Sequence, residues 1–443
     1  MSFILLGILN AQASGGAFTY WLATLGGAGN DISRSLVIEA SGNSYECGIT
    51  DSTGAGGNDV LLAKRDSTGT VEWQRTLGGS GSDDGRGIGI DASGNVYVTA
   101  ITTSAGAGGN DFLTAKYNSS GTIQWQRILG GSGTDNGRGI GVDASGNVYV
   151  TGSTSSEGAG SVDLVLAKYN SGGTIQWQRI FGGGSAEVAI SLAFDSSDNI
   201  YVLGLTQSSG AGDFDFLLAK YNSSGTIQWQ RTLGGTGNDQ GYAVAIDSSD
   251  NLYIVGQSTS DGITKVLLAK YNSSGTIQWQ RVLGGTGQNE GRGIAVDSLD
   301  NVYVTATTDE AGAGSDDFGI VKYNSSGTIQ WQRVLGGTGA EAGWAVAIDS
   351  SDNLYVVGQT SSTGAGGVDS LLAKLPSDGS LTGTYVLDGV NIVYAASSLT
   401  AATSTFTSST SSLTAATSTL TSATSTLTDA GASLTNHFVG IPA

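Results

Sequence analysis

Residues 215–256 read DFLLAKYNSSGTIQWQRTLGGTGNDQGYAVAIDSSDNLYIVG, and this stretch decides the fold. In its second half apolar Val244, Ile246, Leu252 and Ile254 alternate with smaller or polar residues. An apolar period of two marks a strand, because successive side chains leave a strand on opposite faces. The breaks fall at Asn-Ser-Ser-Gly (222–225) and Asp-Ser-Ser-Asp-Asn (247–251), whose Asn and Gly accept the positive φ of short hairpin loops. Antiparallel strands joined by tight turns follow.

Outward from there the same stretch returns along the chain. Trp21, Trp73, Trp125, Trp177, Trp229, Trp279 and Trp331 stand 52 residues apart, with one interval of 50. Tyr45 through Tyr355 and Lys64 through Lys374 keep the same spacing, so seven units are present. Each holds four strands; in the fourth unit they are expected at 188–195, 199–206, 214–221 and 226–233. Tandem four-stranded units of this size predict an all-β, seven-bladed propeller. The Trp-bearing fourth strand occurs first at 18–24, ahead of any full set, while the seventh set, 342–375, has no clear fourth strand behind it. Residues 18–24 are therefore expected to pair with 369–375, a swapped strand that closes the ring and leaves no open sheet edge. The rival closing strand is 380–387, which lacks the Trp.

Leu-Gly-Gly-Thr-Gly, Ala-Ile-Asp-Ser-Ser-Asp-Asn-Leu-Tyr, Leu-Leu-Ala-Lys-Tyr-Asn-Ser-Ser-Gly-Thr and the Trp together resemble the SBBP β-propeller repeat of bacterial extracellular and surface proteins, over residues 17–376. The resemblance implies an architecture and little about activity, since propellers host many functions. Ala219, Asn222, Gly225 and Trp229 are also similar to the tryptophan-docking repeat of quinoprotein dehydrogenases. Quinone chemistry is not expected, because the chain has no vicinal cysteines and seven units, not eight.

Composition narrows the function. Among 443 residues, 38 acids against 19 bases give a net charge of −19, and the bases are spread thinly, so no nucleic-acid partner is expected. The single histidine, His437, and single cysteine, Cys47, exclude histidine-dependent triads, an intrachain disulfide and a His-rich metal cage. No catalysis is expected. Asp83 and Asp84 could in principle cleave a glycoside, but adjacent loop acids set no separation between acid and nucleophile.

Candidate sites follow from repeat positions. The seven Trp are expected to pack between neighbouring blades. Gly-Gly-Ser-Gly-Ser-Asp (78–83) resembles the calcium nonapeptide of β-rolls, but recurs every 52 residues instead of every nine. Calcium remains a weak option at Asp31, Asp83, Asp135, Glu187, Asp239, Glu290 and Glu341, read here as solvated loop acids; no other cofactor is expected. Asp59, Asp111, Asp163, Asp215, Asp317 and Asp369, replaced by Lys265 in the shortened unit, read as turn-capping carboxylates. The sequons at Asn118, Asn222, Asn272 and Asn324 read as hairpin turns. One position breaks the uniformity: Arg34, Arg86, Arg138, Ile190, Tyr242, Arg292 and Trp344 begin the innermost strands, near the channel mouth. Arg, Tyr and Trp are the usual binding anchors, able to hold a sugar or an anionic group, although the Arg could simply offset nearby acids.

The chain ends carry the remaining expectations. Residues 1–16 hold a seven-residue apolar run without a preceding base, too short to span a bilayer. They resemble N-terminal segments of structural proteins of tailed bacteriophages, particularly of cyanobacterial and marine hosts, which implies an apolar docking peptide. Residues 17–378 form the propeller, 379–395 a linker or extra strand, 396–436 a Ser/Thr/Ala-rich segment and 437–443 a tail. Within 396–436, Leu399, Phe406, Leu413, Leu420, Leu427 and Leu434 recur every seven, the first five each followed after three by a small residue. An odd period flips a continuous strand from face to face, so a helical coiled-coil seam is expected, a homotrimer by resemblance to phage fibre stalks. The whole then reads as a virion tail fibre or tail-associated adhesin. Its partners would be other tail proteins, bound through the N-terminal peptide or the coiled coil, and a host-surface glycan or protein. The alternative is a bacterial secreted or cell-surface propeller.

Overall fold

The computed structural model describes residues 19–312, 314–397, 399, 401–402, 407–409, 414–417, 421–424, 428–431 and 435–441, and every helix-or-strand element in them is a strand. Seven sheets result. In blade two the strands Asp83–Ile90, Val96–Thr102, Asp111–Tyr117 and Ile123–Gly130 pair in sequence order, from the channel outward. Leucines, valines and tyrosines of the second and third strands are fully buried on both faces, because each sheet is packed between two others. Each such aliphatic side chain contributes about 1.5–3 kcal/mol relative to exposure.

The turns behave as their side chains dictate. Asn222 accepts the backbone N–H of Thr226 at 2.9 Å, closing the Asn-Ser-Ser-Gly hairpin that the sequon occupies. In the Asp-Ser-Ser-Asp-Asn turn the left-handed residue is Asp250 (φ 60°), not the neighbouring Asn. Its carboxylate accepts the Ser196 N–H of the preceding blade at 2.9 Å, an interblade bond that offsets the strain.

The ring closes as the strand count predicts. Tyr20–Gly26 pairs antiparallel with Asp369–Leu375, Trp21 opposite Lys374 and Leu25 opposite Ser370. The rival segment instead forms a hairpin, Gly383–Leu387 with Val390–Ala396, added to the outer edge of blade six.

The C-terminal segment departs from expectation. Instead of a helical seam, its described residues are short strands, one on the outer edge of each blade in turn: Ala401–Ala402 on blade five, Thr407–Ser409 on four, Thr414–Thr417 on three, Thr421–Thr424 on two, Thr428–Gly431 on one and Thr435–Ile441 on seven. Thr407, Thr414, Thr421, Thr428 and Thr435 each stand opposite the equivalent glycine, Gly234, Gly182, Gly130, Gly78 and Gly26. The period of seven is therefore one step around the ring, a belt running against the order of the blades. The parity objection to strands assumed one continuous strand; a strand that ends after a few residues resets its facing at every step. Of the seam residues, Leu399 is buried among the core residues of blades five and six, and the other five lie outside the described residues, as does the docking peptide at 1–16.

Candidate functional site at the channel mouth

All seven innermost strands carry a β-bulge at one repeat position, between Gly85 and Gly87 in blade two and between Ser33 and Ser35 in blade one. The bulged residue in each is the variable one: Arg34, Arg86, Arg138, Ile190, Tyr242, Arg292 or Trp344. A bulge leaves its extra residue out of the ladder and re-aims the side chain, here into the channel. Small residues flank it for steric reasons. A Cβ on Gly85 would sit 2.3 Å from the Gly48 carbonyl oxygen, and one on Gly87 would sit 2.8 Å from that of Arg138. The sequence signal for the bulge is a small-large-small triplet in every unit, masked by the variability of its central residue.

These seven side chains converge on one cavity of about 370 Å³. Its inner wall is aliphatic: Leu36, Ile88, Ile140, Leu192, Val244, Ile294 and Val346, two residues after each bulge. Arg34 and Arg86 both pair with Asp84, and Arg292 pairs with Glu290. The Arg292 guanidinium lies over Tyr242 at 4.5 Å and over Trp344 at 4.9 Å. Tyr242 donates its hydroxyl proton to Gln240 and Trp344 its ring N–H to Gln359, which fixes both rings.

Arg138 differs from the other three arginines. No carboxylate pairs with it among the described residues, and its Nε, like those of Arg34 and Arg86, is buried without an acceptor. Burial, then the like charge of Arg86, pushes its pKa down to about 10, so it stays protonated near neutrality. Four guanidiniums against Asp84 and Glu290 make this mouth net positive in a chain of charge −19. The two acids are held by arginine and poorly placed to act as a base or nucleophile. What the arrangement offers is paired N–H donors, fixed rings and an apolar wall.

The other candidates sit elsewhere. Six of the repeated Trp are half-buried on the outer rim, where each clamps the hairpin of the next blade: Trp73 donates its ring N–H to Ser119 O at 3.2 Å and packs on Gly121 (φ +75°), while Arg75 donates to Gly121 O at 2.7 Å. The loop acids are not solvated: Asp31, Asp83, Asp135, Glu187 and Asp239 are completely buried and Glu341 nearly so. The equivalent in blade six is Asn289, one residue before the Glu290 assigned from sequence. No cluster of three or more His, Cys, Asp or Glu able to hold a metal exists among the described residues. Asp59 caps its loop by accepting the Ala55 N–H at 2.9 Å, and Asp163 and Asp215 do likewise.

Residues 72–106, 124–158, 176–210, 228–263 and 278–312 match the SBBP beta-propeller repeat, and 144–175 match a beta-propeller domain of unknown function, DUF5122. The chain is a β-propeller repeat protein. The propeller is 23% identical over 243 residues, 49% of its length, to an uncharacterized WD repeat-containing protein of Acanthamoeba polyphaga mimivirus. It is 29% identical over 115 residues, 23% of its length, to the regulatory protein FlaEY of Caulobacter vibrioides. It spans 15% and 12% of those two proteins. Among solved structures, a gluconolactonase of Xanthomonas campestris matches with TM-score 0.40 at 12% identity, over 80% of this chain and 97% of that one. A protein of unknown function from Dyadobacter fermentans matches with TM-score 0.44 at 10% identity, over 65% and 93%.

Proposed function

We propose that this propeller is a non-enzymatic recognition module that holds an anionic group, such as an acidic sugar, at its channel mouth. The observation that carries the reading is the bulged ring: the one position where the repeats diverge in large side chains is the one that a bulge turns into the cavity. An anion would take the free donors of Arg138 and Arg86, with Tyr242 and Trp344 flanking it as stacking surfaces. The proposed setting is a virion, where the chain serves as a tail fibre or tail-associated adhesin. The resemblance of residues 1–16 to tailed-phage structural proteins supports that setting. Attachment to neighbouring tail proteins would run through that peptide, because the described part of the heptad segment is taken up by the ring and offers no seam for a trimer.

Replacing Arg86 and Arg138 with Ala together removes two charge-assisted contacts of about 1.5–3 kcal/mol each, so binding to host cells and acidic glycans should fall more than tenfold. Melting temperature should barely move. Binding unchanged by that variant and by Tyr242→Ala with Trp344→Ala would refute the reading, and labelling intact particles against the propeller tests the setting.

A further inference from the structure

The six aspartates that open third strands each belong to a junction with the next blade, whose first strand also opens with an acid. All twelve acids are at most 2% exposed. A single glycine separates each pair: a Cβ on Gly130 would lie 1.7 Å from Asp111 Oδ1 and 3.1 Å from Asp135 Oδ2. The same holds for Gly78 between Asp59 and Asp83, Gly182 between Asp163 and Glu187, and Gly234 between Asp215 and Asp239. The two carboxylates therefore face each other across one Cα.

Their surroundings are unequal. Asp135 Oδ2 accepts the Gly131 N–H at 2.8 Å and the Ser156 hydroxyl at 2.7 Å, and Asp239 Oδ2 accepts the Gly235 N–H at 2.7 Å and the Ser260 hydroxyl at 2.9 Å. Oδ1 of Asp111, Asp163 and Asp215 is buried with no donor at all, and at the Asp111 junction Oδ1 of Asp135 has none either. The charges acting on Asp59, Asp111, Asp163 and Asp215 are those of their partner acids, and no cation is among them. Two ionised carboxylates cannot rest side by side in such a place; one proton between them turns the unpaired acceptor into a donor and removes the repulsion.

The seventh junction breaks the pattern on both sides at once. Blade five opens its third strand with Lys265 and blade six its first with Asn289. Lys265 turns away to pair with Asp261, while Asn289 Nδ2 donates to Gly287 O and to the Glu310 carboxylate, each at 3.2 Å, and Glu310 takes over the Gly285 N–H at 2.9 Å. If each acid served only its own loop, an Asp at 289 could have remained and met the lysine. The junction keeps one carboxylate, Glu310, and loses the facing pair, as a two-acid unit predicts.

We propose that each of the six acidic junctions holds one shared proton, making the ring tightest in mildly acidic solution and looser as the protons leave. Burial, reinforced by the partner charge, raises Asp59 to about 6 and Asp111 to about 7, and raises Asp163 and Asp215 as well. A carboxyl raised in the folded state contributes stability that is complete below the unfolded carboxylate range and is lost as pH climbs through 6 and 7. The turn acids Asp91, Asp195, Asp247 and Asp297 are lowered by hydrogen bonds that outweigh burial, so they leave that window flat.

The test is thermal unfolding of the full chain from pH 5 to 8.5, beside a triple variant Asp111→Asn, Asp163→Asn and Asp215→Asn, whose amides donate permanently. The parent's Tm should fall as pH rises, and the triple variant should lose about half of that fall, three of six junctions being fixed. Infrared spectra of the parent should show protonated carboxyl groups at pH 5 that vanish by pH 8.5, a readout independent of whether the variant folds. A flat parent profile, an unchanged slope in a folded triple variant, or Tm at pH 8.5 restored by millimolar calcium would overturn the proposal, the last by placing a metal where the proton belongs.

Discussion

Blade seven and the other six solve the same packing problem with different chain connectivity. In blades one to six the four inner strands follow one another, so each sheet is covalently continuous. Blade seven joins residues 341–375 to Tyr20–Gly26 and Thr435–Ile441, and its missing link lies between the third strand and the fourth. Non-covalent bonding is concentrated there. Trp21 is fully buried, against Tyr355 and against Phe438 at 6.1 Å, whereas its six counterparts are half-buried. The fifth strand of blade seven pairs from Tyr20–Ile441 to Gly26–Thr435, while that of blade two pairs only from Gly130–Thr421 to Arg127–Thr424. Across the junction with blade one, a buried Glu46–Arg65 ion pair at 3.0 Å is bonded to Ser370 of blade seven. A ring made from a linear chain has one seam, and this sequence spends its least repetitive residues on it.

The largest way to break that contrast is to remove the clasp. Deleting residues 1–26 leaves blade seven without its fourth strand, exposing the edge of Asp369–Leu375 and separating the belt's last strand from its partner. Cooperative thermal unfolding should disappear, and a melting curve like that of the intact chain would mean that the seam carries no special load. Single substitutions give a finer comparison. Trp21→Ala empties a closed site and should cost about 3–5 kcal/mol, whereas Trp125→Ala empties a half-open one and should cost about 1–2 kcal/mol. Denaturant midpoints of the two variants, with equal slopes, measure the difference; equal costs would show that the clasp packs no better than an ordinary blade.

How much of this was legible in the sequence follows from the same contrast. Blades are copies, so Trp73, Trp125 and Trp177 announce their period, and the leftover strand at 20–26 is found by counting alone. The belt was not legible, because a period of seven suits a helical seam as well as one stride per blade, and local composition cannot say which. The acid pairs were hidden for another reason: Asp111 and Asp135 are 24 residues apart in different blades, and only packing shows that they meet in the dark instead of in water. The channel ring was found by its variability, while the bulge that aims it went unread in the small residues beside it.

The smallest effect tests whether the belt is an ornament on six blades and a lock on the seventh. Ala423 stands opposite Ile128 in blade two and Val439 opposite Leu22 in blade seven. Proline removes one ladder donor and bends an edge strand. In blade two that costs about one net hydrogen bond, near 1 kcal/mol, because the belt strand there is four residues long and the sheet beneath is complete without it. In blade seven the same change interrupts a strand of seven residues that covers Trp21, so Val439→Pro should cost severalfold more than Ala423→Pro. Hydrogen exchange gives the sharper reading. Ala423→Pro should speed exchange in Ile123–Gly130 alone, whereas Val439→Pro should speed it in Tyr20–Gly26 and Asp369–Leu375 together. Equal, local effects from both would show that the chain ends meet in blade seven without holding it.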